Sequence, residues 1–167
     1  MEILQSITQA VISGNKEKVV EFIKTNPSAV NEFSEDGWTL LHLAAYFGQK
    51  EIASFLLESG ADIHIRAKNE NENENENTPL QAAIANKQIE LVAFLIEKGS
   101  DVNVIQSGGW TGLHEAALLG NEEIIVLLLK NGANKMIEKN DGKTAYDIAL
   151  EKGHEHLLHY LHQEVNI

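Results

Sequence analysis

The chain has 167 residues, of which 43% are apolar, so it can bury a sizeable core without a disulfide or a metal. Its 25 acidic and 13 basic side chains give a formal net charge of −12, which argues against a nucleic-acid partner because phosphate binding requires a surplus of Lys and Arg. The absence of Cys excludes disulfides, thiolate catalysis and Cys-ligated zinc.

The amino-terminal stretch predicts a helix and no targeting signal. Glu2 stands where a signal peptide would carry basic residues, and the apolar residues that follow recur at helical spacing. No stretch approaches the ~18 consecutive apolar residues of a membrane span. We therefore expect a cytoplasmic protein that does not bind a membrane, and secretion as an effector without an amino-terminal signal stays open.

A motif that begins with Thr recurs along the chain. Its four copies start at Thr39, Thr78, Thr111 and Thr144. They are 39, 33 and 33 residues apart, and the tripeptides that start at Gly60, Gly99 and Gly132 repeat the spacing of 39 and 33. The period is therefore 33 residues with one insertion of six, and the stretch from Gly14 is a degenerate fifth copy.

Each copy predicts two short helices and a turn. The Thr side chain can accept a hydrogen bond from the first amides of the first helix, and Pro79 stands where a first turn tolerates proline. The first helix ends at Gly48, Gly120 and Gly153. The second helix carries an apolar stripe, for example in residues 124–129, that one helix pair cannot bury alone, so the units must stack.

The pattern D-G-x-T-x-L-H-x-A-A-x-x-G, then an apolar helix and G-A-D, resembles the ankyrin repeat over essentially the whole chain. The resemblance implies an all-α ankyrin-repeat solenoid of stacked helix-turn-helix units with short β-hairpin or extended fingers. It also implies that His42 and His114 tie adjacent repeats by hydrogen bonds. We expect a single domain, 1–167, with repeats 1–33, 34–66, 67–105, 106–138 and 139–167.

Two repeats depart from this pattern. The third has Gln81 in place of His and Lys87 in place of Gly, so we expect its first helix to have the least stable internal end. A residue other than Gly at such a turn costs on the order of 1 kcal/mol. The last has Tyr146 and Asp147 in place of Leu-His, which a terminal repeat can tolerate.

The insertion lies within the alternating Asn-Glu tract at residues 69–77. Removal of three Asn-Glu pairs restores the 33-residue spacing, so we interpret the tract as a lengthened, mobile finger. Two functional interpretations stay open, an acidic contact for a basic partner and a calcium-binding loop. Calcium loops usually need Asp and a glycine turn, and the tract has neither.

In proteins similar to this one, partners bind on the concave side, at the finger tips and at two positions near the end of the first helix. The apolar residues at these positions form the predicted partner-binding patch. They are Trp38, Tyr46, Phe47, Trp110, Leu118 and Leu119. Trp before the motif Thr is common in ankyrin repeats, where it can lie flat on the adjacent finger, so packing and partner binding are both open for the two tryptophans.

The sequence gives no support to a catalytic site. The string that starts at His114-Glu115 has Leu118 where H-E-x-x-H requires His, and neither a phosphate-binding loop nor a nucleophile motif occurs. The carboxyl-terminal histidines suggest zinc, but they also read as solvated positions beside apolar ones, so we assign no metal site and no cofactor. They are His154, His156, His159 and His162.

We therefore predict a non-enzymatic, monomeric protein–protein interaction module that serves as an adaptor, scaffold or inhibitor. The acidic charge favours a basic partner, whose identity the sequence does not give. The alternative is a metal- or small-molecule-responsive binding protein that uses the carboxyl-terminal histidines or the acidic finger.

Overall fold

The computed structural model describes residues 2–68 and 76–163, and within these ranges the regular structure is helical, with no β-strand. The α-helices are α1 (Glu2–Ile12), α2 (Lys16–Thr25), α3 (Leu40–Tyr46), α4 (Lys50–Glu58), α5 (Pro79–Ala85), α6 (Ile89–Glu97), α7 (Gly112–Leu119), α8 (Glu122–Lys130), α9 (Ala145–Glu151) and α10 (Leu158–Leu161). Short 3-10 turns cover Pro27–Asn31, Ser107–Gly109 and Glu155–Leu157. The all-α class is confirmed. In the same ranges, no helix is long and apolar enough to cross a bilayer.

The helices belong to two compact units, residues 1–100 and 101–167, and each unit is built from stacked helix pairs. In the first unit α1 packs on α2, α3 on α4 and α5 on α6, while α3 also contacts both α1 and α5. The second helices of these pairs also touch, since α4 contacts α2 and α6. In the second unit α7 packs on α8 and α9, and α9 packs on α10. Stacking of this kind buries the apolar stripe of each pair.

Four of the helices start with the same side-chain arrangement. Thr39, Thr78, Thr111 and Thr144 are the N-cap residues of α3, α5, α7 and α9. At α3, α5 and α9 the Thr hydroxyl oxygen accepts from the backbone amide three residues on. In all four helices the side chain at that position accepts a hydrogen bond from the Thr amide. This reciprocal pair satisfies two amides that a helix start otherwise leaves without a partner. The predicted role of the motif Thr is confirmed.

Alanine pairs allow the first helices to approach one another. Fully buried alanines occur at the same place in successive helices, at Ala44, Ala45, Ala82, Ala83, Ala116 and Ala117. In the first unit they lie on α3 and α5, which pack directly on each other. A larger side chain at these positions would force the helices apart, because close-packed interiors have no room for added methylene groups.

Each finger between helix pairs is closed at its base by a backbone hydrogen bond. The closing amide and carbonyl belong to Ser34 and Trp38, Ala67 and Asn77, Gln106 and Trp110, and Lys139 and Lys143, at 2.8–2.9 Å. Three of these bonds join residues four apart, whereas the bond from Ala67 joins residues ten apart. The six inserted residues therefore lie between the two ends of a closing bond of the ordinary kind. Residues 69–75 of the Asn-Glu tract lie outside the described ranges.

Successive fingers are also bonded to each other within each unit. The Lys68 amide donates to the Gly37 carbonyl at 2.8 Å, and the Asn140 amide donates to the Gly108 carbonyl at 3.0 Å. Gly37 has a φ of 76°, and a Cβ atom there would lie 1.5 Å from the Lys68 carbonyl oxygen. The glycine is thus required both by its own backbone and by its neighbour.

Lys87 is the one residue other than glycine with a positive φ in the described ranges, at 55°. The equivalent residues that follow α3 and α7, Gly48 and Gly120, have φ of 71° and 68°. The Lys87 and Gly48 amides both donate to the carbonyl three residues earlier, so the two helices end in the same way. The left-handed turn is therefore kept although a side chain makes it unfavourable.

Lys87→Gly should raise the free energy of unfolding by about 1 kcal/mol, because glycine removes the steric cost of the left-handed backbone. Denaturant titration followed by circular dichroism would measure the change. Lys98→Gly is the matched control, since Lys98 ends α6 with a φ of −80° and gains nothing from glycine. Equal or opposite effects of the two substitutions would contradict the strain at Lys87.

Candidate partner-binding surface

Each motif histidine is buried and connects its own helix start to the next finger. The Nδ1 atom of His42 accepts hydrogen bonds from the Thr39 amide at 3.3 Å and the Thr39 hydroxyl at 2.9 Å. Its Nε2–H group donates to the Asn77 carbonyl at 2.9 Å. His114 makes the same contacts with Thr111 and donates to the Lys143 carbonyl at 3.2 Å. The expected hydrogen-bonded links between adjacent repeats are therefore present in both units.

These bonds need a neutral imidazole, because one ring nitrogen accepts while the other donates. Burial lowers the pKa of His42 from 6.5 to about 4, although the bond to the Asn77 carbonyl opposes this effect. Burial also lowers the pKa of His114, against the opposing bond to the Lys143 carbonyl. Both side chains are thus held in the uncharged form at neutral pH.

Trp38, Tyr46 and Phe47 form a continuous chain of ring contacts at the end of α3. The Trp38 and Tyr46 ring centroids are 5.4 Å apart at an interplanar angle of 76°, and those of Tyr46 and Phe47 are 5.1 Å apart at 74°. Both are edge-to-face geometries, which aromatic pairs favour. Trp38 and Tyr46 are half-buried, whereas Phe47 is 37% exposed. The structure therefore brings together three of the six predicted residues, which we call the aromatic cluster.

The other three predicted residues, Trp110, Leu118 and Leu119, lie in the second unit, and all are half-buried. The Trp110 ring contacts His114 at a centroid distance of 5.9 Å, and the Lys139 ammonium lies 4.8 Å from the Trp110 ring centroid. Lys139 begins the next finger, so Trp110 makes the inter-finger packing contact that was one of the two interpretations of the tryptophans.

The carboxyl-terminal histidines contact other parts of the second unit. His154 bonds the Ala117 carbonyl through Nδ1 at 2.9 Å, and His156 bonds the Gly120 carbonyl through Nε2 at 3.4 Å. His162 contacts the Tyr146 ring at a centroid distance of 6.1 Å. In residues 2–68 and 76–163, no group of three or more potential metal ligands lies together.

The sequence model for ankyrin repeats (three copies) matches residues 7–106 and residues 101–167. The chain belongs to the ankyrin-repeat family. The buried Thr–His pairs and the stacked helix pairs are the structural form of the repeated motif that this match detects.

Several curated proteins are similar in sequence to this chain. The transient receptor potential cation channel subfamily A member 1 homolog of Caenorhabditis elegans is 32% identical over 149 residues, which is 89% of this chain and 12% of the relative. Ankyrin repeat and SOCS box protein 3 of Bos taurus is 41% identical over 117 residues, 70% of this chain and 21% of the relative. Neurogenic locus notch homolog protein 1 of Homo sapiens is 29% identical over 165 residues, 78% of this chain and 6% of the relative. The chain thus spans about a fifth or less of these proteins.

Two residues near the predicted patch were not singled out from the sequence. Asn86, at the end of α5, donates from its side chain to the Tyr46 carbonyl at 2.8 Å and so holds the aromatic cluster against the next ankyrin helix pair. Lys139 covers Trp110 and forms an ion pair with Asp141 at 2.8 Å. The 33-residue period aligns both residues with the neighbouring repeats, but it does not show which way their side chains point.

Stability should fall in acid because of the buried histidines. The native pKa of His42 lies below its unfolded value of 6.5, so the unfolded state binds more protons between pH 6.5 and 4. Its contribution is fully present above pH 6.5 and is lost as the pH falls toward 4, and we expect about 2 kcal/mol to be lost between pH 7 and 4.5.

Denaturant titrations of the wild type and of His42→Gln at these two pH values would measure the loss. Gln81 is the internal precedent for the substitution, since its Oε1 atom accepts from the Thr78 amide at 2.9 Å. The variant should fold and lack the histidine component of the acid sensitivity. The same pH dependence in both proteins would show that His42 does not carry it.

Proposed function

We propose that this chain is a non-enzymatic protein–protein interaction module that binds a partner protein on its concave face. The proposed contact residues are Trp38, Tyr46, Phe47, Trp110, Leu118 and Leu119. The observation that carries the proposal is the aromatic cluster, in which three connected rings end in an exposed Phe47. Ankyrin repeats generally mediate protein–protein interaction and are generally non-enzymatic, and the family membership supports the proposal.

The physical properties of the cluster suit a binding hot spot. Trp and Tyr are among the residues most enriched where truncation costs the most binding energy. The ring contacts of Tyr46 on both sides, together with the Asn86 bond to its backbone, restrict the cluster before any partner arrives. Less conformational entropy is then lost on binding, so more of the contact energy contributes to affinity.

The charge of the chain supports a protein partner with a basic surface. A net charge of −12 repels nucleic-acid phosphates and speeds the encounter with a basic protein at low salt. An adaptor, a scaffold and an inhibitor would all use such a surface. The proposal therefore covers the binding of a partner protein by a monomeric chain and does not choose among these three roles.

Alanine at both Tyr46 and Phe47 should reduce partner capture at least tenfold, because the exposed end of the cluster is removed. Affinity purification from a lysate, followed by mass spectrometry, would compare the double variant with the wild type. Leu150→Ala is the matched control, since Leu150 is 53% exposed on α9 and outside the proposed site. If the double variant captured the same proteins at the same level as the control, the placement of the site would be wrong.

The metal-responsive alternative makes a separate prediction. A protein that binds zinc or calcium at one site through its histidines or acidic finger is stabilised by RT ln(1 + [L]/Kd), where [L] is the free metal concentration. For an interaction module we expect an unchanged thermal midpoint when either metal is added at 100 µM. A rise that depends on the metal concentration would favour the alternative.

A further inference from the structure

The two tryptophans occupy the same place in their repeats but have different surroundings. Each follows a finger whose closing bond ends at the Trp carbonyl, from Ser34 to Trp38 and from Gln106 to Trp110. Each is followed by a motif Thr that caps a helix. The sites can therefore be compared position by position within one chain.

At Trp110 the ring already has a cation. The Lys139 ammonium lies 4.8 Å from the ring centroid, and its side chain is only 12% exposed. Asp141 holds the same ammonium at 2.8 Å. A cation over an indole ring beside a carboxylate is a favourable arrangement, because the ring face and the carboxylate both attract positive charge.

At Trp38 the corresponding cation is missing. Ala67 occupies the place of Lys139, since each of the two donates the closing bond of the finger that follows the tryptophan. The basic side chains nearest to Ala67 in sequence make contacts with other residues. The Lys68 ammonium lies 4.2 Å from the Phe33 ring centroid, and Arg66 forms an ion pair with Glu76 at 3.3 Å. In the part of the chain that the structure describes, no basic group is placed over Trp38.

The finger before Trp38 instead supplies negative charge. Glu35 and Asp36 are exposed in the turn of this finger, and neither forms an ion pair with a described residue. In the finger before Trp110 the corresponding residues are Ser107 and Gly108, which carry no charge. Among the described residues, the first site therefore has two exposed carboxylates in the finger just before its tryptophan and no basic group over the ring. The second has a cation over the ring and no charged residue at the two matching finger positions.

We propose that the aromatic cluster binds a basic protein segment in which a Lys or Arg side chain lies over Trp38, near Glu35 and Asp36, and a neighbouring apolar side chain packs on Phe47. The partner supplies from outside the cation that Lys139 supplies to Trp110 from within the chain. This inference rests on the proposed function and deepens it, because it assigns the partner's charge. Of the six proposed contact residues, it places the hot spot on the three that lie in the first unit. It assigns Trp110 to packing between fingers.

The test uses a phage-displayed library of random 12-residue peptides, selected on the immobilised full chain. We expect the enriched peptides to share a Lys or Arg next to an aromatic or aliphatic residue. Fluorescence anisotropy would then measure the affinity of the most enriched peptide and of a copy in which Gln replaces each Lys and Arg. The Gln copy should bind at least tenfold more weakly.

Two protein variants locate the site. Glu35→Gln combined with Asp36→Asn should weaken the peptide about fivefold at low salt and reduce the salt dependence of binding. Glu17→Gln combined with Glu21→Gln changes the net charge equally on α2 and should have little effect. Trp38→Leu should weaken the peptide about tenfold, because it removes the ring but keeps an apolar side chain. Circular dichroism would confirm folding, and the exposed Glu35 and Asp36 substitutions test the proposal even if Trp38→Leu unfolds.

The inference would be overturned if the enriched peptides were neutral or acidic, or if no peptide bound the wild type more tightly than the Tyr46→Ala/Phe47→Ala variant. It would also be overturned if both charge-changing pairs had the same effect. These results leave the proposed function standing as long as Tyr46 and Phe47 remain necessary for partner capture. The proposed function fails by itself if that capture survives the double alanine variant.

Discussion

Burial of a neutral histidine between neighbouring helix pairs is the interaction on which the rest of the structure depends. His42 caps the start of α3 through Nδ1 and bonds the backbone of the next finger through Nε2, so one side chain fixes both a helix start and the position of its neighbour. His114 repeats the arrangement in the second unit. Within each unit these bonds fix each finger relative to the next helix pair. Residues outside the core, such as Trp38, therefore have defined positions. The cost is acid sensitivity, because protonation removes the acceptor.

The same repeated position can serve packing in one unit and recognition in another. Lys139 lies over Trp110, and the residue at its place beside Trp38 is Ala67. Each indole ring contacts the histidine of its own repeat, but in the described residues only Trp110 has a cation of its own chain over it. Repeat proteins diversify in this way because the core positions fix the fold, while the finger residues can change without disturbing it.

The Asn-Glu insertion illustrates how a repeat array tolerates added length. The bond from Ala67 to Asn77 closes a finger that is six residues longer than the others. The helix pairs on either side of it still stack, since α3 packs on α5 and α4 contacts α6. Loop-closure entropy rises only slowly with loop length, so an insertion beyond a closing bond costs little stability. The array also tolerates Lys87 at a glycine position. Stacking of the helix pairs on both sides keeps the left-handed turn there, although the Lys87 side chain disfavours it.

The sequence by itself determined the repeat, the all-α class, the capping Thr residues and the histidine links, because each follows from residue types at a fixed period of 33. It also selected the six residues of the predicted patch, of which the structure brings Trp38, Tyr46 and Phe47 into contact. Only the tertiary structure decided which of the two tryptophan rings has a cation of its own chain over it. The cover comes from a side chain 29 residues away, and whether its ammonium reaches the ring depends on how the fingers stack, which periodicity does not encode.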